Sequence, residues 1–130
     1  MHNLSDTYIK KRFRVNFIDL ENQMPTAPYS EVLIISSLAD YQVGAIVSRQ
    51  ISKAEGGNIT LFAFDEGQEL SEHSTPFDAL VQVLDGEVEI KISGKPFFLK
   101  AGESILMPAN HPHALKAVKK FKMLLTMIKA

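Results

Sequence analysis

The sequence predicts an all-β sandwich or barrel. Three observations carry this. Turn-forming dipeptides recur about every ten residues from residue 43 onward. The runs between them are short and often alternate between apolar and polar residues. No strand–helix–strand unit interrupts the series.

The elements follow in chain order. Residues 1–28 mix bases and aromatics without a clean period, and Pro25 and Pro28 break any helix. They are expected to form an N-terminal arm ahead of one core domain spanning residues 29–130. Val32 to Ile35 is a candidate first strand or a short helix. Val43 to Ser52 reads as a strand ended by Gly56-Gly57. Asn58 to Asp65 places Ile59, Leu61 and Ala63 on one face and Thr60, Phe62 and Phe64 on the other. Both faces are rich in apolar groups, as in a strand covered on both sides. Glu66-Gly67 turns the chain. Ala79 to Leu84 is stopped by Asp85-Gly86, a dipeptide that signals a hairpin to the next run. In Glu87 to Ile92, Val88, Ile90 and Ile92 point inward and Glu87, Glu89 and Lys91 outward. Ser93-Gly94-Lys95-Pro96 forms the next turn. Phe97 to Leu99, Ser104 to Met107, Ala114 to Val118 and Phe121 to Ile128 complete the set. Phe62, Phe64, Phe77, Met107, Met123 and Met127 are the expected core.

The bulk numbers narrow the function classes. The chain has 130 residues, 45% of them apolar, enough for one domain with a buried core. A net charge of -1 draws the whole protein to neither nucleic acid nor an anionic membrane. Lys116, Lys119, Lys120 and Lys122 then read as a solvated rim. There is no cysteine, so disulfides, thiolate metal sites and cysteine nucleophiles are excluded. No segment approaches the ~20 apolar residues that span a bilayer. The first residues lack the apolar centre of a secretory signal. Cytoplasmic residence is the default expectation. Nucleophile-elbow, phosphate-loop and zinc-helix motifs are absent. Glu66, Glu69 and Glu72 share one loop and are expected in solvent.

Two stretches carry the chemistry, Gly67 to Gly86 and Gly102 to His113. His73 and Thr75 are two apart and share a face if they lie on a strand. His113 opens a later strand, with His111 two residues before it. His73 and His113 either line a ligand pocket or hold a metal. His111 is either an exposed turn residue beside Pro112 or a third metal ligand. The Thr75 hydroxyl satisfies nearby backbone or serves as a weak ligand. Asp78 is a turn residue near Pro76, a general base, or the group that orients His73.

The arrangement resembles the cupin superfamily, specifically small single-domain cupins built as a jelly-roll β-barrel. The resemblance covers roughly residues 43–128. Gly67, His73 and Gly86 fall in register with the first motif of that family, and Gly102, Pro108 and His113 with the second. Thr75 stands at a second histidine position and Ala79 at a glutamate position. Asn110 stands where the second motif has a glycine, and Ala117 at its late asparagine. Of the four metal-ligand positions the resemblance implies, only His73 and His113 carry strong ligands. It also implies a homodimer, and the outer face of Leu80 and Leu84, with the N-terminal arm, is the expected contact.

The leading expectation is a small-molecule binding barrel. Its ligand-binding residues would be His73, Thr75 and His113. A weakly held divalent ion (Zn, Mn, Fe or Ni) would sit on His73, His113 and His111. The alternatives are a metal-dependent enzyme, isomerase- or dioxygenase-like, acting on a sugar-like or keto-acid substrate, and a structural dimerisation module.

Overall fold

The structure is a computed structural model that describes residues 16–20 and 26–129. His2 and most of the expected N-terminal arm lie outside the described residues. Among the described residues ten strands run in order: β1 (Phe17–Asp19), β2 (Ile46–Ala54), β3 (Gly57–Phe64), β4 (Glu69–His73), β5 (Phe77–Asp85), β6 (Glu87–Ile92), β7 (Lys95–Lys100), β8 (Ser104–Met107), β9 (His113–Ala117) and β10 (Phe121–Lys129). They form a six-stranded sheet, β1-β2-β3-β10-β5-β8, and a four-stranded sheet, β4-β9-β6-β7. The two sheets face each other as an all-β jelly-roll barrel. No helix among the described residues is long and apolar enough to cross a membrane.

Alternation sorts the side chains into two clusters. Phe62, Phe64, Phe121, Met123, Val81, Val88 and Ile90 are buried in the barrel interior. Met107 and Met127 join them, and Phe77 packs against them, as the sequence predicts. Val47, Ile51, Leu61 and Ala63 form a second cluster on the outer face of the six-stranded sheet, closed by Leu38, Ala39 and Tyr41. This is why β3 is apolar on both faces. Polar ties hold the covering segment. Lys122 Nζ donates to the Ser36 carbonyl at 2.6 Å, and Arg49 Nη1 to the Leu38 carbonyl at 3.2 Å. Tyr41 donates its hydroxyl to Asp85. Burial, helped by the Asp85 carboxylate, pushes the Tyr41 phenol well above its ordinary range. Leu84, expected at a dimer contact, packs into this second cluster.

The structure corrects three expectations. Val32 to Ile35 forms no strand. Val32 and Ile34 are exposed, and a 3-10 turn follows at Ile35–Ser37, closed by Ser37 bonding to the Ile34 carbonyl. Phe17–Asp19, inside the expected arm, pairs in parallel with Ile46–Ser48 as an edge strand. Asp85-Gly86 is not a hairpin turn, because β5 and β6 belong to different sheets. The chain turns a corner there, with Gly86 at φ +75°. A two-residue hairpin turn does lie at Ser93-Gly94, both at positive φ, within the turn the sequence predicts there, joining the paired strands β6 and β7. Strand β7 accordingly starts at Lys95, two residues before the run the sequence predicts.

Candidate functional site

Register gives the barrel interior a chemical gradient. On the inner face of the six-stranded sheet, Phe17, Ile46, Phe64 and Phe121 align across four strands. The next row is Ser48, Phe62, Met123 and Val83. Then come Gln50, Thr60, Leu125 and Val81, and finally Asn58, Met127, Ala79 and Met107. The facing sheet runs in parallel from Ala117, Val88 and Leu99, through Leu70, Leu115 and Ile90, to His73, His113 and Ile92. Strand β4 ends at His73 and β5 begins at Phe77, while β8 ends at Met107 and β9 begins at His113. The histidine row therefore lies at the same end as Ala79 and Met107. One end of the barrel is aromatic, the other polar.

His73 and His113 are direct cross-strand partners. Each is 6% exposed, and their ring centroids are 4.3 Å apart at an interplanar angle of 67°. His73 Nδ1 lies 2.8 Å from the Ser71 carbonyl, and His113 Nδ1 lies 3.3 Å from the His111 carbonyl. A carbonyl only accepts, so in the neutral rings each Nδ1 carries the proton and each Nε2 the lone pair. That is the tautomer a metal or a hydroxyl donor uses.

The second-motif loop is fastened to the first motif. Ala109 N–H donates to Asp78 Oδ1 at 2.9 Å, and Asn110 N–H to the Thr75 carbonyl at 2.7 Å. Asn110 sits at φ +66°, a conformation asparagine tolerates better than most residues, so it can stand where glycine is usual. Asp78 lies on β5 rather than in a turn, and its carboxylate anchors this loop. Thr75 follows the end of β4. It is buried, and its hydroxyl is shared with the Phe77 backbone at 3.4 Å. His111 is exposed, with Nδ1 3.3 Å from Ser93 Oγ. The structure thus brings His73, His113 and Thr75 into one buried region and leaves His111 on the surface.

Burial pushes the His113 imidazole down from 6.5 to about 4. His73 acts in the same direction, and the bond to the His111 carbonyl opposes it. In the pH window from 6.5 to about 4 the unfolded chain binds a proton at this position and the folded chain does not. Stability is therefore complete above that window and falls as pH drops through it, by about 3 kcal/mol at the acid end. Urea denaturation across pH, with metal removed, measures this. The His113→Gln variant should lose that share of the slope.

A cleft of about 380 Å³, lined by residues including Val88, Leu99, Phe98, Lys100 and Glu103, opens toward the aromatic end. None of its polar side chains is buried, so it offers no fixed recognition groups.

Over residues 60–129, more than half of its length, the sequence matches the cupin domain family. The chain belongs to that family. A conserved protein of unknown function from Streptococcus pyogenes is 35% identical to this cupin. That match covers 82% of this chain and 96% of the other, with a TM-score of 0.76. A cupin 2 conserved barrel domain protein from Leptotrichia buccalis is 43% identical over 72% of this chain, with a TM-score of 0.70, and the match spans 46% of that longer protein. A cupin superfamily protein from Desulfitobacterium hafniense is 26% identical, with a TM-score of 0.76, covering 81% of this chain and 96% of its own. No curated protein sequence matches.

Does this cupin's donor set fit a catalytic metal? Such centres take three or more protein ligands. Ala79 has no donor, and the Thr75 hydroxyl is shared with backbone. Among the described residues no three His, Cys, Asp or Glu side chains cluster as a metal site. The set fits a two-imidazole contact and does not fit a metalloenzyme centre.

Ser48, Gln50, Asn58 and Thr60, buried polar residues on the inner face of the six-stranded sheet, went unmarked as site candidates in the sequence. In Ile46 to Ile51, both alternating sets contain apolar and polar residues. Periodicity alone could not assign the inner face.

Proposed function

We propose that this cupin is a binding protein that takes a small molecule into the polar end of its barrel. One observation carries the reading: two buried imidazoles, paired in register, with their Nδ1 atoms on backbone carbonyls, so that the neutral rings carry their lone pairs on Nε2. Met107, Met127 and Ile92 supply the apolar wall around them. Specificity then comes from a few fixed polar groups. His73 and His113 would also hold a divalent ion weakly, with remaining positions filled by the ligand or by water. The loop ties from Asp78 and Thr75 keep the two histidine-bearing segments in a fixed relation, so little ordering cost falls on binding.

The test is a thermal-shift titration of untagged, metal-stripped protein with zinc, manganese and nickel salts. A weak site at ten times its Kd stabilises by about 1.4 kcal/mol, a rise of several degrees. His73→Ala should abolish the rise and His111→Ala should leave it. A rise that survives His73→Ala would place the ion elsewhere. Failure of every metal and every metabolite to perturb the His73 and His113 ring resonances would remove the binding reading altogether.

A further inference from the structure

The run from Val32 to Ile34 has the branched side chains of a strand, yet it pairs with no strand among the described residues. Its backbone is nonetheless extended at Ile34, with φ −97° and ψ 93°. Residues two apart on extended backbone share a side. Val32 and Ile34 therefore project together, 101% and 72% exposed, while Leu33 between them is half-buried. Tyr29, 89% exposed, stands just ahead of this ridge. Beside the ridge lies a hollow of about 350 Å³, lined by residues including Ala27, Tyr29, Leu33, Ile51, Ser52 and Lys53. The Ala27 N–H donates to the Ile51 carbonyl at 3.1 Å, which fixes the start of the segment against β2.

Three features single out a second copy of the chain as the occupant of this surface. Ridge and hollow are neighbours on one molecule. Turning a second copy about a two-fold axis sets each ridge against the other's hollow, so one set of residues makes the contact twice. Charge agrees with the exchange. Glu31 adjoins the ridge and Lys53 the hollow, both exposed, and the exchange brings opposite signs together across the axis. The area also suffices. Tyr29, Val32 and Ile34 together offer roughly 400 Å² of side chain. With the walls that receive them, two copies bury on the order of 1,600 Å², the standard size of a stable interface. A cavity of about 150 Å³ takes up one benzene, so the hollow has room for two branched aliphatic groups. We propose that this surface pairs two copies of the chain, Val32 and Ile34 of each entering the hollow beside Tyr29 and Ile51 of the other. The outer face around Leu80 is not used, and Leu84 on that strand is already packed into the second cluster.

The experiment weighs the full chain by analytical ultracentrifugation over a range of concentrations. The expected result is the mass of two chains, falling to one on dilution. Val32→Glu should weaken the association about a hundredfold or more. Val32 meets solvent on every side in its own chain, so the variant should keep the His73 and His113 ring resonances in place. Leu106→Glu charges the other outer surface, opposite Leu80, and should leave the pair intact. The chain has no cysteine, so an introduced disulfide reports geometry directly. Val32→Cys mixed with Ser52→Cys should give a cross-linked pair that neither variant gives alone. A native chain that stays single at the highest concentration overturns the proposal. So does a pair that survives Val32→Glu, or one that Leu106→Glu dissociates. Val32→Cys cross-linking to itself would set the two ridges side by side and overturn the exchange.

Discussion

Gly86→Ala is expected to cost about 3 kcal/mol or more, a fall in melting temperature on the order of 10 °C for a chain of this size. Two independent causes add. The residue sits at φ +75°, where an L side chain is strained by about 1–2 kcal/mol. A Cβ at this position would also lie 1.9 Å from the Lys120 carbonyl oxygen and 2.7 Å from the Phe121 Cα, both backbone atoms. Relief requires moving the entry of β10, which pairs with both β3 and β5 at the centre of the larger sheet. Gly94→Ala is the matched comparison. Gly94 has φ +81°, but a Cβ there meets nothing within 4 Å. It should cost only the conformational share. Urea denaturation of the two variants isolates the steric part, and equal losses would mean that the corner yields easily.

Phe64→Ala is expected to cost about 3–5 kcal/mol, the range for emptying a packed aromatic site. Phe64 is fully buried, its ring tilted against Phe121 at 4.7 Å between centroids and against Phe62 at 6.3 Å. Its neighbours are held by strand register, so the cavity left behind collapses poorly. Phe98→Ala, at a residue 69% exposed, should stay within about 0.5 kcal/mol. Chemical denaturation of both variants checks the contrast. A small loss at Phe64 would mean that the aromatic end repacks.

Much of the fold was legible because it rests on local patterns. Val88 and Ile90 alternate with charged neighbours, and their inward placement needed no partner to be known. The two-sided character of β3 was equally plain from its composition. What failed depends on distant partners. Phe17–Asp19 has only three residues and is a strand solely because Ile46–Ser48 lies beside it. Asp85-Gly86 carries the chemistry of a tight turn, but the dipeptide cannot tell whether the next strand stays in the same sheet. At the candidate site, the motif spacing brought His73 and His113 to one place, since cross-strand pairing was implied by the family resemblance. The polar lining of β2 stayed hidden, because Ser48 and Gln50 look like ordinary solvent-facing residues until the second cluster is seen covering the other side of the strand.

Each of the two histidine rings has its Nδ1 on a carbonyl oxygen of the peptide chain, at Ser71 and at His111. Main-chain anchors do not change when amino acids are exchanged around them. The aim of the rings is thus insulated from sequence drift at the surrounding positions. A lineage built on this scaffold can exchange what surrounds the rings, and so alter what it recognises, without rebuilding the mount that holds them.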